Sequence, residues 1–207
     1  MSVTVFTKAH TPSSPNTREI LRYMGVRSSE SADDELMRML SEAWEDIKDK
    51  LAYKICWCEL PIKRTDGMLD LTFAKTASLS LAKNLDGCDS VIIFAATLGI
   101  ELDRAITRYS RLSPAKALLL DAIGTERVEA LCDAFCEEIN AQKEALGLTV
   151  RPRFSPGYGD LPIEMQKDIF ALLESHKRIG LSLNESMLMS PSKSVTAIIG
   201  VCNKEKK

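Results

Sequence analysis

The run Ser90-Val-Ile-Ile-Phe-Ala-Ala96 decides how this sequence folds. Every residue after Ser90 is apolar, and a short continuous run of this kind is typical of a strand that is buried on both faces. We therefore predict a central strand here. The next residues, Thr97-Leu-Gly99, lead into a predicted helix that carries Glu101 and Asp103 in its first turn.

Amphipathic helical patterns lie on both sides of this strand. Before it, one set of apolar residues recurs at the i, i+3, i+4, i+7 spacing of a helix: Leu36, Met39, Leu40, Ala43, Trp44, Ile47 and Leu51. After it, Ser113-Pro-Ala-Lys predicts the start of a long helix, with serine as the cap and proline at the first helical position. That helix runs to about Leu146, ends at Gly147, and has an inner stripe made of Val128, Leu131, Cys132, Phe135, Cys136 and Ile139.

The remaining predicted elements are shorter. Residues 53–61 and 68–73 have strand-like composition, and the turn at 65–67 predicts that they pair as a hairpin. Further elements are predicted as helices at 16–25, 76–85 and 162–175, and as strands at 181–189 and 195–201. Strands and helices do not alternate strictly, so we predict an α+β fold with a mostly antiparallel sheet and long packed helices.

We predict a single domain over residues 1–207, with a loose N-terminal tail at 1–14 and a helical N-terminal part at 15–52. The apolar content of 45% and the charged content of 27% are ordinary for a globular protein. The formal net charge is −2, which argues against nucleic acid as the main partner. No segment approaches the roughly 20 apolar residues of a membrane helix, and the N-terminus does not resemble a signal peptide. We therefore expect a cytoplasmic location.

The six cysteines are expected to be reduced, because the sequence shows no export signal. Cys56 and Cys58 share a strand face, and Cys132 and Cys136 share a helix face. Four thiolates could assemble a zinc site, but neither pair has the C-x₂-C spacing that structural zinc sites usually use. We favour buried cysteines that behave as small apolar residues, with a zinc-thiolate protein as an alternative.

Residues 151–166 form a segment rich in proline and glycine, with two arginines and one tyrosine. Proline restricts φ and glycine reaches positive φ, so the segment is predicted to be a rigid turn. Such a turn can cradle a small molecule with a cation, exposed backbone groups and one aromatic ring. The alternative is a loop that only changes the chain direction.

Motifs of other common enzyme classes are absent from the sequence. There is no Gly-x-Gly-x-x-Gly after a strand, no Gly-x₄-Gly-Lys-Ser/Thr and no Gly-x-Ser-x-Gly. Only two histidines are present, His10 and His176, which makes a histidine-based triad or metal cluster a poor explanation. A binding site therefore explains the chain better than nucleotide or hydrolase chemistry.

Two motifs in order resemble one family. Arg153-Phe-Ser-Pro-Gly157-Tyr158 fits an Arg-x-x-x-Gly-Tyr signature, and residues 184–200 resemble a Glu-Ser…Met-x-Pro…Ser-Val segment. Both are similar to the activation domain of cobalamin-dependent methionine synthase, and the length resembles the stand-alone form of that domain. The resemblance is strongest from about residue 90 to residue 201.

The resemblance implies a set of ligand contacts for S-adenosylmethionine. Arg153 would pair with the carboxylate of the ligand, since a guanidinium suits that planar group. Ser155 and Gly157 would offer backbone groups to the adenosine, with Pro156 in the same binding segment, and Tyr158 would lie near the sulfonium or the adenine. Asp133, on the preceding long helix, would meet the amino group. The alternatives are a surface salt bridge for Arg153, a core ring with a wet hydroxyl for Tyr158, and a solvated carboxylate for Asp133.

The resemblance also implies a function in methionine biosynthesis. The chain would be an accessory subunit that reactivates a cobalamin-dependent methionine synthase or a related corrinoid protein. S-adenosylmethionine would supply the methyl group, the partner would hold the cobalamin, and a flavodoxin- or ferredoxin-like donor would supply one electron. The fused enzyme has a further tail after the Ser-Val strand, whereas this sequence ends at Lys207. That difference would suit the alternative, an interaction module that caps a corrinoid protein without binding S-adenosylmethionine.

Overall fold

The computed structural model describes residues 3–10, 12–26, 33–65 and 67–203. Its strands are β1 (Phe6–Ala9), β2 (Lys54–Pro61), β3 (Lys63–Thr65), β4 (Met68–Asp70), β5 (Lys75–Thr76), β6 (Cys88–Thr97), β7 (Leu148–Val150), β8 (Ser182–Leu183), β9 (Met189–Ser190) and β10 (Ser194–Asn203). Its α-helices are α1 (Thr17–Tyr23), α2 (Asp34–Ile47), α3 (Leu79–Asn84), α4 (Glu101–Leu112), α5 (Pro114–Glu144), α6 (Met165–Leu173) and α7 (Ser175–Ile179).

A five-stranded antiparallel sheet forms the centre of the molecule, with the strand order β1-β2-β6-β10-β7. The apolar run lies in β6, the middle strand, as predicted. Alternate residues of β6 enter two different cores, because successive side chains of a strand point to opposite faces. Ile92 and Phe94 belong to one core, whereas Val91 and Ile93 belong to the other. Burial on both faces explains why residues 91–96 include no polar side chain.

Helices cover both faces of the sheet. The apolar sides of α1, α2, α4 and α5 build the first core, and those of α3, α6 and α7 build the second. The predicted α+β fold with a mostly antiparallel sheet is therefore confirmed. Among the described residues, no helix combines the length and the apolar character that crossing a membrane requires.

The N-terminal segment is not the loose tail that we predicted. Phe6–Ala9 forms β1, which pairs with β2 from Phe6↔Trp57 to Ala9↔Lys54. A little further on, the backbone carbonyls of Ser13 and Ser14 accept hydrogen bonds from the Arg127 guanidinium. Local sequence patterns could not predict either contact, because the partners lie more than 40 positions away along the chain.

One predicted pairing and one predicted strand differ in the structure. The turn after Thr65 does build a hairpin, but it joins β4 to β3 and not to β2. Both edges of β2 are already paired, with β1 and with β6, so β2 has no free edge for β4. Residues 181–189 do not form one strand. They contain β8 and then a turn in which the Asn184 side chain accepts hydrogen bonds from the backbone N–H groups of Ser186 and Leu188, before β9 pairs back.

The long predicted helix is present as α5, but its cap differs from the expectation. Ser113 occupies the N-cap position, with Pro114 following it, yet the Ser113 side chain makes no capping hydrogen bond. Its backbone N–H instead bonds the carbonyl of Tyr109 at the end of α4. One residue thus closes one helix and opens the next.

The cysteines occupy three different environments. Cys88 and Cys202, on the neighbouring strands β6 and β10, are joined as a disulfide, so the prediction of reduced thiols is wrong for this pair. Cys56 and Cys58 lie in the second core, and burial raises the pKa of both to about 11. Cys132 lies in the first core, on the other side of the sheet. The sheet therefore separates the two pairs that a four-thiolate zinc site would need.

Candidate functional site

The signature loop, which we define as residues 151–166, lies along the edge of β10. Its first part continues from β7: Arg151 donates its backbone N–H to the carbonyl of Gly200 at 2.8 Å. Phe154 and Ile198 then exchange two backbone hydrogen bonds of 2.8 and 2.9 Å. These bonds to β10 therefore fix the position of the backbone at Arg153, which lies between Arg151 and Phe154.

The loop then closes on itself through backbone hydrogen bonds. Tyr158 donates to the Ser155 carbonyl at 3.2 Å, Gly157 donates to Leu161 at 2.9 Å, and Leu161 donates to Tyr158 at 3.0 Å. Gly157 and Gly159 have φ values of 90° and 56°, in the region that favours glycine. A Cβ on Gly159 would also lie 2.6 Å from the Ser80 Oγ. The predicted turn is thus built from its own hydrogen bonds, with glycine where the backbone requires it.

Asp160 fastens the loop to α3. Its carboxylate accepts hydrogen bonds from the Ser78 hydroxyl at 2.5 Å and from the backbone N–H groups of Leu79 and Ser80 at 2.7 and 3.0 Å. These bonds, led by the one from Ser78, hold the pKa of Asp160 well below its usual range. The charge of Asp160 therefore stabilises the contact between loop and helix.

Asp160→Asn is expected to destabilise the protein at neutral pH, because the amide can neither carry the charge nor accept all three hydrogen bonds. The folded state lowers the pKa of Asp160. Its contribution is therefore complete above the ordinary carboxyl pKa of about 3.9, and it is lost as the pH falls towards the lowered value. Urea unfolding should show a gap between wild type and variant at pH 7 that narrows below about pH 4. Asp168→Asn, at an exposed position of α6, is the matched control. An equal effect of both substitutions would contradict this role for Asp160.

A cleft of about 430 Å³ opens between the signature loop, α5, α6 and β10, within the size range of small-molecule sites. It is lined by Glu129, Arg153, Phe154, Ser155, Pro156, Tyr158, Gln166, Met189, Ser194, Val195 and Thr196. The two segments that carried the family resemblance therefore meet at one concave surface.

Arg153 is the charged centre of this cleft. Its side chain is only 24% exposed, and its Nη2 lies 2.6 Å from the Glu129 carboxylate and 3.1 Å from that of Asp133. Its Nη1 is buried and has no hydrogen-bond partner. The guanidinium thus has one nitrogen held by acids of α5 and one buried donor without a partner.

The structure brings Asp133 to Arg153, as the resemblance implied, but Asp133 does not line the cleft. Its side chain is 65% exposed and borders a neighbouring groove between α5 and α1. The acid that faces the cleft from α5 is Glu129, one turn earlier on the same helix face. Sequence reasoning missed Glu129, although the i, i+4 spacing to Asp133 was a usable signal.

The other predicted residues lie where a ligand could meet them. Ser155, Pro156 and Tyr158 line the cleft, and Gly157 occupies the turn between them. Tyr158 is 69% exposed, which excludes the alternative of a core ring with a wet hydroxyl. Direct contact of these residues with a ligand stays a prediction.

Two cleft residues were not singled out by the sequence. Gln166 on α6 and Thr196 on β10 are 5% and 1% exposed, and their Oε1 and Oγ1 atoms have no partner. A threonine inside an otherwise apolar closing strand was the available signal for Thr196. No group of three or more metal-ligating side chains occurs among the described residues. The absence of zinc stays a prediction.

The family model of the vitamin B12 dependent methionine synthase activation domain matches residues 81–206, which is more than half of the chain. The chain belongs to this family. The resemblance seen in the two motifs is thereby confirmed, and the matched region of the activation domain contains the cleft residues of α5, the signature loop, α6 and β10.

Solved structures give the same fold. The crystal structure of the MetH reactivation domain bound to AdoHcy matches with a TM-score of 0.70 and 17% sequence identity, over 99% of this chain and 80% of that chain. The match extends the activation-domain fold to the N-terminal residues that the family model does not cover. No curated protein matches the chain.

Proposed function

We propose that this activation domain reactivates a cobalamin-dependent methionine synthase, or a related corrinoid methyltransferase, by holding S-adenosylmethionine against the partner's cobalamin. Family membership supports the link to methionine synthase. The observation that supports S-adenosylmethionine as the ligand is the buried, unpaired Nη1 of Arg153, which lines a cleft together with Glu129.

The charged end of the cleft matches the amino-acid end of S-adenosylmethionine. Arg153 would bind the carboxylate through its free donor, because buried donors need acceptors. Glu129 would accept from the ammonium group, with Asp133 keeping the guanidinium in place from the outer side. The ligand would lie along the loop, against Ser155, Pro156, Gly157 and Tyr158. AdoHcy, which is bound to the similar reactivation domain, has the same amino-acid end.

The chemistry would come from the ligands and not from this chain. S-adenosylmethionine would supply the methyl group, a flavodoxin- or ferredoxin-like donor would supply one electron, and the cobalamin held by the partner would receive both, with AdoHcy as the other product. The chain would orient the ligand, and the exposed ring of Tyr158 at the cleft would meet the partner. On this basis we propose a role in methionine biosynthesis, and the cytoplasmic location expected from the sequence stays a prediction.

Calorimetric titration of the purified protein with S-adenosylmethionine and with AdoHcy tests the proposal. We expect saturable binding of both ligands with one site per chain. If neither ligand binds at millimolar concentration, the proposal is wrong and the alternative of a ligand-free cap on a corrinoid protein leads. Co-purification with a cobalamin-loaded partner would then test that alternative.

A further inference from the structure

Unpaired polar atoms are concentrated at the cleft. Among the described residues, six buried side-chain nitrogen or oxygen atoms have no hydrogen-bond partner. Three of the six belong to cleft residues, Arg153, Gln166 and Thr196. Since buried polar groups in native proteins are nearly always paired, this concentration points to a ligand that pairs them.

Gln166 and Thr196 differ from Arg153 in charge. Both are neutral, both are more than nine-tenths buried, and they come from α6 and β10. The cleft that they line also contains the apolar or aromatic side chains of Phe154, Met189 and Val195. A charged group of the ligand would lose solvation here without a counterion, whereas a neutral heteroaromatic base and its ribose would not.

S-adenosylmethionine, the ligand of the proposed function, likewise has a charged end and a neutral end. Its amino-acid end carries the carboxylate and the ammonium group, for which Arg153 and Glu129 supply the complementary charges, and the sulfonium of S-adenosylmethionine lies between the two ends. Its nucleoside end is neutral and presents an amino group beside a ring nitrogen. A side-chain amide matches that edge, because its oxygen accepts from the amino group while its nitrogen donates to the ring.

We propose that Gln166 and Thr196 bind the nucleoside half of the ligand, and that the Gln166 amide selects adenine by its amino edge. This inference rests on the proposed function, since it identifies a second half of the same site. It makes Gln166 a specificity-determining residue and Thr196 a ligand contact.

The first test compares AdoHcy with its deaminated counterpart, in which inosine replaces adenosine and a carbonyl replaces the amino group. We expect wild type to bind AdoHcy roughly tenfold to a hundredfold more tightly, as for other amide–adenine pairs. Gln166→Met, of similar volume and without the amide, should bind both ligands with equal affinity. Binding of AdoHcy without discrimination by wild type would overturn this inference and leave the proposed function standing. No binding of either ligand would overturn both.

The second test uses 5′-methylthioadenosine, which lacks the amino-acid end. Thr196→Val should weaken the binding of this ligand about tenfold, whereas Arg153→Ala should leave it unchanged. The opposite pattern would mean that Thr196 faces the amino-acid end and would overturn its assignment.

A stability measurement separates a binding role from a structural one. Thr196→Val removes an unpaired buried hydroxyl, so the ligand-free variant should unfold at the same temperature as wild type or at a higher one. Thr97→Val is the matched control, because the Thr97 hydroxyl accepts from the Gly99 backbone N–H and is paired with the Ser194 hydroxyl. The control should unfold at a lower temperature. Equal destabilisation by both substitutions would show that the Thr196 hydroxyl has a structural partner, which contradicts the inference.

Discussion

Arg127→Met is expected to lower the free energy of unfolding by about 3–5 kcal/mol, the usual effect of removing one member of a buried ion pair. The side chains of Arg127 and Glu126 are only 2% and 6% exposed, and the guanidinium contacts both carboxylate oxygens. Without Arg127, the Glu126 charge would remain buried, with the backbone N–H of Asn16 at 3.1 Å. Urea unfolding of wild type and variant measures the loss.

The same substitution should loosen the N-terminal segment. Arg127 donates to the carbonyls of Ser13 and Ser14, and these bonds disappear with the guanidinium. Limited proteolysis should therefore cut the variant near residues 13–16 faster than wild type. The double variant Glu126→Leu with Arg127→Met should recover much of the lost stability, because no charge stays buried. Arg22→Met is the control, since that arginine pairs with Glu19 at an exposed site. A loss no larger than that of the control would contradict a buried ion pair.

Arg153→Ala is expected to weaken the binding of S-adenosylmethionine roughly tenfold to a hundredfold, or about 1.5–3 kcal/mol, the usual worth of a hydrogen bond to a charged group. The protein should stay folded, because the acids that lose their partner, Glu129 and Asp133, are 41% and 65% exposed and can be solvated. Calorimetric titration measures the affinity.

Two further variants sharpen this prediction. Arg153→Lys keeps the charge but loses the planar fork that matches a carboxylate, so it should recover only part of the affinity. Arg151→Ala is the matched control, because Arg151 lies two residues away, donates to the carbonyl of Asp86 and does not line the cleft. Equal affinities of wild type and the Arg153→Ala variant would remove Arg153 from the site.

The sequence by itself determined the elements whose signal is local. The apolar run of β6, the stripe of α5, and the proline and glycine residues of the signature loop each depend on neighbours a few positions away. The family resemblance then placed Arg153, Ser155, Pro156, Gly157 and Tyr158 in one segment. Backbone hydrogen bonds between nearby residues of that segment give it the turn that its proline and glycine content predicts.

Only the tertiary structure decided which distant residues meet. The N-terminal strand pairs with β2, Arg127 reaches Ser13 across 114 positions, and Cys88 meets Cys202 across 114 positions. It also showed that Glu129 faces the cleft in place of Asp133, and that Gln166 and Thr196 are buried there without partners. Local patterns are silent on these points, because a side chain's burial and partners depend on how the sheet and α5 bring separate segments together.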